Sequence, residues 1–303
     1  MSTERDDIDA WRRRIGRAGV WLPGRVRHAV AELGEAAATL EQLGFGALWI
    51  GGGNPDRQAL GDLETLLGRT TELVVATGIA NIWAWDPAAL HEAAATIDDA
   101  HPGRFLLGLG VSHARLVTAY RRPLAAMREF LDALDRAAET SGRRPPFRVL
   151  AALRRRMLEL ARDRSGGSHP YFTPPEHTAL ARRVLGEGRL LAPEQAVVLE
   201  TDPGRARGIA RDYMAPYLSL PNYVDNLREL GFGDGEFENG GSDRLVDAIV
   251  AWGSVEAVAG RVQEHLDAGA DHVAIQPLDG RGGLGVEQLR TLAPAVVGRA
   301  SPA

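Results

Sequence analysis

The sequence predicts an α/β fold, namely a (β/α)8 TIM barrel with an insertion near residues 217–252. Three observations support this prediction. Eight short apolar segments alternate with segments of helical periodicity. Most of the eight are continuous apolar runs, as in strands buried on both faces of a parallel sheet. The length of 303 residues suits a barrel of about 250 residues with an insertion. A doubly wound open sheet is the alternative, because it needs the same alternation.

Four strands are predicted in the first half of the chain, at 17–23, 45–50, 73–80 and 105–110. The helices between them carry apolar residues three or four apart and are predicted at 27–43, 61–68 and 88–100. The first of these helices stops at Gly44, and the last is closed by the turn His101-Pro102-Gly103. Each strand is therefore followed by a signal that ends or starts a helix.

The second half continues the same alternation. Its strands are predicted at 147–153, 168–172, 194–199 and 272–276, of which 168–172 is the weakest. Its helices are predicted at 122–139, 154–164, 175–185, 203–215 and 255–268, with two extra helices at 222–230 and 243–252. The extra helices flank a glycine-rich loop and form the insertion. We expect a single domain over 1–303, with 1–14 and 296–303 as loose ends.

Composition excludes several kinds of chemistry. The chain has no cysteine, which excludes thiolate nucleophiles, disulfides and cysteine-bound metals. It has no lysine either, so a lysine Schiff base is impossible and all 35 basic residues are arginine. A net charge of −5 gives no reason to expect nucleic acid, and we expect no metal site. No apolar run is long enough for a membrane helix and no signal peptide is visible, so we expect a cytoplasmic protein without membrane contact.

Polar and aromatic side chains follow several predicted strands, at the face where a barrel carries its site. The central stretch 73–87 begins as a buried strand and then presents Gly78-Ile79, Asn81, Trp83 and Trp85. The other positions expected at this face are Trp21, 51–54, 110–113, 153–155 and 165–171. Several glycines and three tryptophans on one face suit a flat aromatic ligand, although packing explains a tryptophan pair about as well.

His113 and the arginines after the fifth strand are the candidate polar groups. His113 directly follows a buried strand and could exchange a proton near neutral pH, or it could be a capping or solvated loop histidine. Arg154 and Arg155 open a helix, where the dipole and free N–H groups favour an anion such as phosphate. Most other arginines between 143 and 164 are expected on a solvated helix face. Gly108-Leu109-Gly110 is not a dinucleotide fingerprint, because the third glycine would fall at His113.

Several segments resemble the luciferase-like superfamily, and more narrowly its actinobacterial deazaflavin-dependent oxidoreductases. The resemblance covers roughly residues 17–278. It is carried by LGFGALWIGGG, VATGIANIWAWDP, GRFLLGLGVSH, YRRPLAAMREFLDAL, LLAPEQAVVLETDP, LPNYVDNLRELGF and HLDAGADHVAIQPL. It implies a (β/α)8 barrel with an insertion, a homodimer, and binding of coenzyme F420, a deazaflavin that exchanges a hydride with a small-molecule substrate.

The resemblance also implies positions for the site. A cis peptide bond that supports the cofactor ring would fall at Gly78-Ile79. We expect Asn81, Gly110, Val111 and Ser112 to contact the ring, and Arg154, Gly166, Gly167 and Ser168 to face the cofactor phosphate. Trp21, Trp83 and Trp85 would wall the substrate pocket, and His113 would be catalytic.

Three departures from the family pattern limit what the resemblance implies about the reaction. His113 stands where some members have a catalytic acid, GGGNPD replaces a histidine and tryptophan after the second strand, and Arg154-Arg155 replaces Gly-Pro. The first two departures put the best-described sugar-phosphate and alcohol reactions of the family in doubt, and the third is expected to add charge to the phosphate site. We predict an F420-dependent oxidoreductase, and two alternatives stay open: an FMN-dependent monooxygenase on the same barrel, and a protein that binds the cofactor without turnover.

Overall fold

The computed structural model describes residues 2–24, 27–51, 57–115, 117 and 120–298. The strands are β1 (Ala18–Pro23), β2 (Ala47–Gly51), β3 (Val74–Thr77), β4 (Ala80–Asn81), β5 (Phe105–Gly110), β6 (Arg148–Leu150), β7 (Gly167–Ser168), β8 (Leu190–Leu191), β9 (Glu194–Val198), β10 (Val250–Trp252) and β11 (Val273–Pro277). The helices are α1 (Ser2–Ile15), α2 (Val30–Gln42), α3 (Arg57–Gly68), α4 (Pro87–Ala100), α5 (Pro123–Ser141), α6 (Arg155–Arg164), α7 (Pro175–Leu185), α8 (Pro203–Leu218), α9 (Pro221–Glu229), α10 (Asp243–Ile249), α11 (Val255–Asp267) and α12 (Val286–Val296).

The strands form one parallel sheet in the order β10-β9-β11-β1-β2-β3-β5-β6-β7-β8, with β4 beside β5. The segment 190–198 carries both β8 and β9 and joins the two sides of this path. Its Ala192 N–H donates to the Ser168 carbonyl, while its Pro193 carbonyl accepts from Ala274 of β11, both at 2.9 Å. The (β/α)8 prediction is confirmed, and every predicted strand position holds an observed strand.

Alternate residues of each strand face opposite sides of the sheet, which fixes two apolar layers. On β1, Val20 and Leu22 pack outward in a cluster shared with the helices, while Trp21 points into the barrel. Trp49 of β2 and Val149 of β6 join Trp21 inside. The interior is thus filled by side chains, with its largest aromatic groups toward the carboxyl ends of the strands.

The amino-terminal segment is a helix, although it was expected to be loose. Ile8 and Ile15 of α1 are buried, and Trp11 stacks on Phe147 with ring centroids 4.7 Å apart. These apolar residues recur at helical spacing between charged neighbours, and they close the barrel at the amino ends of its strands. At the other terminus α12 extends to Val296, and residues 299–303 lie outside the described part. The single-domain organisation stays a prediction.

The insertion contains α9, a short 3-10 helix at Asp234–Gly240, and α10. The helix predicted over 243–252 ends at Ile249, because Val250–Trp252 pairs with β9 as an added strand. The residues of α8, α9 and α10 share a second apolar cluster with Phe172. This cluster holds the insertion helices over the carboxyl ends of the neighbouring strands. Within the described ranges, no helix has the length and hydrophobicity required to cross a membrane.

Candidate functional site

A cavity of about 520 Å³, here called the inner cavity, lies at the carboxyl ends of the strands. It is lined by Trp21, Gly78, Ile79, Asn81, Gly110, Val111, Ser112, His113, Ala151, Leu153, His169, Tyr171, Tyr217, Leu220, Asn222 and Tyr223. The first eight of these come from the sequence-predicted site. The remaining eight follow β6 and β7 or belong to α8, α9 and the turn between them, and three of these eight, Leu153, His169 and Tyr171, also lie at positions expected at this face. The loop at 52–56, where 51–54 were expected to contribute, lies outside the described residues.

One wall of the inner cavity is backbone left bare by glycines. The Gly78–Ile79 peptide bond is cis, as the family resemblance implies. A Cβ on Gly78 would lie 2.7 Å from Nε1 of Trp21, and a Cβ on Gly110 would lie 2.6 Å from Cδ1 of Ile79. Both distances are shorter than carbon and nitrogen atoms tolerate, so glycine keeps this wall flat. A flat ligand can approach it closely.

Besides Nδ1 of His113, described below, two buried ring nitrogens at the inner cavity have no hydrogen-bond partner within the described residues. They are Nε1 of Trp21, a donor, and Nε2 of His169. Nδ1 of His169 lies 2.6 Å from the Ala192 carbonyl and donates to it, so Nε2 carries the lone pair. Buried polar atoms usually have partners. A donor and an acceptor that lack them suit a ligand with complementary polar edges.

His113 packs its ring against Tyr223 at the inner cavity, with ring centroids 4.8 Å apart. Its Nδ1 is buried and has no partner within the described residues. Burial lowers the pKa of His113 below its usual value, and no nearby charge opposes this. The imidazole is therefore neutral at pH 7 and can accept a proton.

Trp83 and Trp85 are not brought to the inner cavity. Trp83 donates from Nε1 to the Val111 carbonyl at 2.7 Å, and its backbone N–H is held by Asn81 Oδ1 at 3.1 Å. Trp85 is buried in the outer apolar layer. Their spacing of two suited an extended segment, but residues 82–85 turn, so the two rings point to packing positions. Of the three predicted tryptophans, Trp21 alone lines this cavity.

Three tyrosines form the wall opposite the glycines. The hydroxyls of Tyr171 and Tyr217 lie 2.8 Å apart, and that of Tyr171 donates to Gln276 Oε1 at 2.9 Å. Tyr223 packs edge-on against Tyr217. Burial raises the pKa values of all three above the ordinary tyrosine value, so the hydroxyls stay protonated. Tyr171 falls in the stretch 165–171 that the sequence predicts at this face, whereas Tyr217 and Tyr223 lie in the predicted insertion and were not predicted as site residues.

The described lining of the inner cavity contains no arginine, aspartate or glutamate. Its two histidines are neutral at pH 7, because burial lowers the pKa of His113 and lowers that of His169 to about 4. No trio of histidine and acidic side chains within the described ranges is arranged to hold a metal ion. This compartment therefore suits an uncharged, largely aromatic group.

A second cavity of about 690 Å³, here called the outer cavity, adjoins the first and shares Val111, Ala151, Leu153 and Asn222 with it. Its charged lining residues are Arg122, Arg128, Arg154, Arg155, Arg156 and Glu229. It opens onto the amino end of α6, where no side chain caps the helix and the first intrahelical bonds reach back only from Met157 and Leu158. Cationic side chains and free amides here favour an anion.

The predicted phosphate residues divide between two places. Arg154 lines the outer cavity but is also tied to α9, through Asn222 Oδ1 at 3.3 Å and through Glu229 at 3.9 Å. Arg155 lies largely exposed beside Glu159 at 3.0 Å. Gly166, Gly167 and Ser168 line neither cavity, because their backbone belongs to the ladder between β6 and β8. The structure thus does not bring these three to the arginines.

Comparisons with known proteins place this geometry in a known fold. The family model described as luciferase-like monooxygenase matches residues 16–272. No curated protein matches the chain. Among solved structures, an F420-dependent secondary alcohol dehydrogenase in complex with an F420-acetone adduct has a TM-score of 0.70 at 13% identity, covering 92% of this chain and 98% of that one.

Two further structures differ in their cofactors. The coenzyme F420-dependent tetrahydromethanopterin reductase from Methanopyrus kandleri has a TM-score of 0.68 at 15% identity, covering 93% of this chain and 99% of that one. The oxygenating constituent of 3,6-diketocamphane monooxygenase from Pseudomonas putida, in complex with FMN, has a TM-score of 0.64 at 14% identity, covering 92% and 98%. At sequence identities this low, the similarity to these three structures shows a shared fold.

Proposed function

This chain belongs to the luciferase-like monooxygenase family, and we propose that within this family it is a deazaflavin-dependent oxidoreductase that uses coenzyme F420. The observation that carries the proposal is the pairing of the two cavities. An uncharged compartment with a flat glycine wall adjoins a larger compartment whose lining holds five arginines and one glutamate. A flat ring joined to a long, multiply anionic tail is complementary to both.

The two candidate cofactors, coenzyme F420 and FMN, differ in the tail that is attached to the ring. Coenzyme F420 carries a phosphodiester and a glutamate tail, whereas FMN carries a single terminal phosphate. The outer cavity exceeds the inner one in volume, and its arginines extend from the start of α5 to the start of α6. That much positive charge supports the longer anionic tail. The two F420-dependent enzymes of similar structure lend further support at the level of the fold.

The residues of this chain would bind, orient and exchange protons around the cofactor. Gly78, Ile79 and Gly110 present the flat wall, and Trp21 Nε1 and His169 Nε2 offer an unused donor and acceptor to a polar ring edge. When bound, the deazaflavin supplies a centre that gives or takes a hydride. His113, neutral and beside Tyr223, accepts a proton from the substrate when it is oxidised.

The substrate inferred for this site is a small uncharged molecule. The space left beside a ring in the inner cavity is bounded by His113, Tyr171, Tyr217 and Tyr223, none of which is charged at neutral pH. A carboxylate or phosphate substrate would lose its hydration there without gaining a counter-ion, at a cost of several kcal/mol. A homodimer and a cytoplasmic location remain part of this proposal.

Two other functions have specific support. An FMN-dependent monooxygenase is favoured by the family description and by the FMN-bound neighbour. A cofactor-binding protein without turnover is favoured by the glycine-rich sequence that stands where some relatives carry a histidine and a tryptophan.

Side-by-side titration with coenzyme F420 and FMN, followed by reduction and reoxidation of the bound cofactor, tests the proposal. We expect tighter binding of F420, and reoxidation of the reduced form by uncharged carbonyl compounds but not by their carboxylate analogues. Tight FMN binding with oxygen consumption would favour the monooxygenase. Bound F420 that never changes redox state across the panel would favour the protein without turnover.

A further inference from the structure

A buried carboxyl group behind the inner cavity has none of the roles described above. Glu194, the first residue of β9, is 1% exposed. Its Oε2 accepts the Phe172 N–H at 3.1 Å, while Oε1 has no partner of hydrogen-bonding geometry within the described residues. No described cation forms an ion pair with it. An ionised carboxylate would therefore lie desolvated and uncompensated, which favours the neutral acid.

The groups that face Glu194 are tyrosines from three parts of the chain. They are Tyr171 after β7, Tyr213 and Tyr217 of α8, and Tyr223 of α9. Apart from Glu194, the charged group of the described residues that acts on their pKa values is Arg27, which lowers that of Tyr217. Burial raises the pKa of Glu194 to about 8, opposed only by the Phe172 N–H and the adjacent Tyr213 hydroxyl. Glu194 therefore keeps its proton at neutral pH.

A chain of hydroxyls leads from this carboxyl group to the inner cavity. The Tyr213 hydroxyl lies beside Glu194 and donates to that of Tyr171 at 3.2 Å. Tyr171 and Tyr217 are 2.8 Å apart at the cavity wall. Tyr171 already has three hydroxyl or amide partners, since it also donates to Gln276 Oε1. Tyr217 has one, and because Tyr171 donates to Gln276, Tyr217 is the donor of the bond that the two tyrosines share. Its O–H becomes available to a ligand when Tyr171 turns its own hydroxyl toward Tyr217.

We propose that Glu194 stores a proton and delivers it to the inner cavity through Tyr213, Tyr171 and Tyr217. In each transfer one O–H bond breaks as the next forms: Glu194 to Tyr213, Tyr213 to Tyr171, Tyr171 to Tyr217, and Tyr217 to the acceptor. Two rearrangements come first: the Glu194 carboxyl turns Oε1 to the adjacent Tyr213 hydroxyl, and Tyr171 turns its hydroxyl from Gln276 to Tyr217. Glu194 is left as a carboxylate and regains its proton from cavity water by the reverse path.

The path would supply what His113 cannot. Hydride transfer to an uncharged carbonyl or alkene leaves negative charge that a proton must neutralise, and neutral His113 has no proton to give as a strong acid. Environments that separate the pKa values of two groups assign one of them as the acid and the other as the base. This role in a reduction rests on the proposed function, whereas the proton path itself does not. Tyr217 would contact the substrate, and Glu194, Tyr213 and Tyr171 would be positioning residues.

A pH jump followed by infrared spectroscopy on the cofactor-free protein tests the path. We expect a neutral carboxyl band near pH 6 that Glu194→Gln lacks. After a jump to about pH 10, well above the carboxyl pKa, this band should disappear in the wild type. In Tyr213→Phe and in Tyr171→Phe its loss should be about tenfold slower, a rise of about 1.4 kcal/mol in the barrier.

Tyr223→Phe is the matched control, because Tyr223 belongs to the same cluster but its hydroxyl makes no hydrogen bond within the described residues. It should lose the band as fast as the wild type. The proposal is overturned if the band is absent at pH 6 in the wild type. It is also overturned if Tyr213→Phe and Tyr171→Phe lose the band as fast as the wild type and the Tyr223→Phe control do. Since no cofactor is present, failure here is distinct from failure of F420 to bind.

Discussion

The indole of Trp49 stacks face to face on the imidazole of His169, with ring centroids 4.0 Å apart and planes 8° from parallel. The same indole donates from Nε1 to Nε2 of His272 at 3.2 Å, and His272 Nδ1 lies 2.9 Å from the Gly16 carbonyl. Because Nε2 of His272 accepts a hydrogen bond, that ring is neutral. One tryptophan therefore fixes two buried histidines under the inner cavity.

Acid should destabilise this protein well above the pKa of its carboxylates. Burial lowers the pKa values of His169, His177 and His272 to about 4 and that of His265 to about 3, whereas the unfolded chain titrates near 6.5. The unfolded state then binds more protons between pH 6.5 and 4, so the free energy of unfolding falls as pH falls, by roughly 3 kcal/mol per histidine. Urea denaturation across this range measures the slope.

His177→Gln is the variant for this test, because glutamine retains a donor for the Leu153 carbonyl but does not titrate. It should reduce the pH slope by about one proton. An unchanged slope in His177→Gln would contradict the prediction.

Glu194→Gln should stabilise the protein in alkaline solution. The raised pKa of Glu194 means that the unfolded state loses its proton near pH 4.5 and the folded state near pH 8. The wild-type protein therefore loses stability as pH rises from about 4.5 to about 8. The glutamine variant does not lose it, because its side chain does not titrate. We expect a gain of roughly 3 kcal/mol at pH 9 relative to pH 5, measured by urea denaturation. An effect independent of pH would show that the carboxyl group does not titrate.

Gly110→Ala should weaken cofactor binding with little effect on folding. The added Cβ would meet Ile79 at 2.6 Å, and the end of that side chain can move only by entering the inner cavity. We expect about a tenfold loss of affinity, or about 1.4 kcal/mol, by fluorescence titration. Gly188→Ala, whose Cβ has no atom within 4 Å, is the control and should bind normally. Normal cofactor binding by Gly110→Ala would show that the cofactor does not lie against this wall.

The arginines at the start of α6 should contribute to affinity in a salt-dependent way. Arg155→Ala and Arg156→Ala should each weaken F420 binding about two- to fivefold, since exposed charges are worth up to about 1 kcal/mol. Added salt should reduce the difference in F420 affinity between the wild type and these two variants, because it screens exposed charges. Arg162→Ala changes a cation of the same helix that pairs with Asp163 at its other end, and it should have no effect. If Arg155→Ala and Arg156→Ala both bind F420 with unchanged affinity, the start of α6 is not the binding site for the anionic tail.

His113→Ala should lose turnover and keep cofactor binding. Removal of a proton-transfer group typically costs 10²- to 10⁴-fold in rate. Its lowered pKa also predicts that wild-type oxidation of the substrate declines only below about pH 6.5, as the imidazole gains a proton. Steady-state oxidation of the alcohol that corresponds to a carbonyl compound of the reoxidation panel, beside cofactor titration, measures both. Turnover that survives in His113→Ala excludes it as the base.

The barrel strands could be predicted because they combine short apolar runs with nearby breakers, and Gly78, Gly110 and His113 follow from the positions where those runs end. Of the tyrosine wall, Tyr171 lies in the predicted stretch 165–171, but Tyr217 and Tyr223 could not be predicted as cavity residues. Tyr217 reaches the inner cavity because α8 and α9 pack over the barrel, and no local pattern records that contact. Trp83 was misplaced because its indole N–H finds the Val111 carbonyl. The spacing of Ile8, Trp11 and Ile15 did carry a signal for α1, but surrounding charge obscured it.

The helix α1 has a kinetic consequence. It closes the amino-terminal end of the barrel, beneath Trp49 and His169. Ligands therefore enter and leave the inner cavity from the opposite end, at the carboxyl ends of the strands. Whatever lies deepest must arrive first and depart last. An ordered sequence of addition follows, with the cofactor leading, and a substrate analogue in excess should slow the cofactor's release.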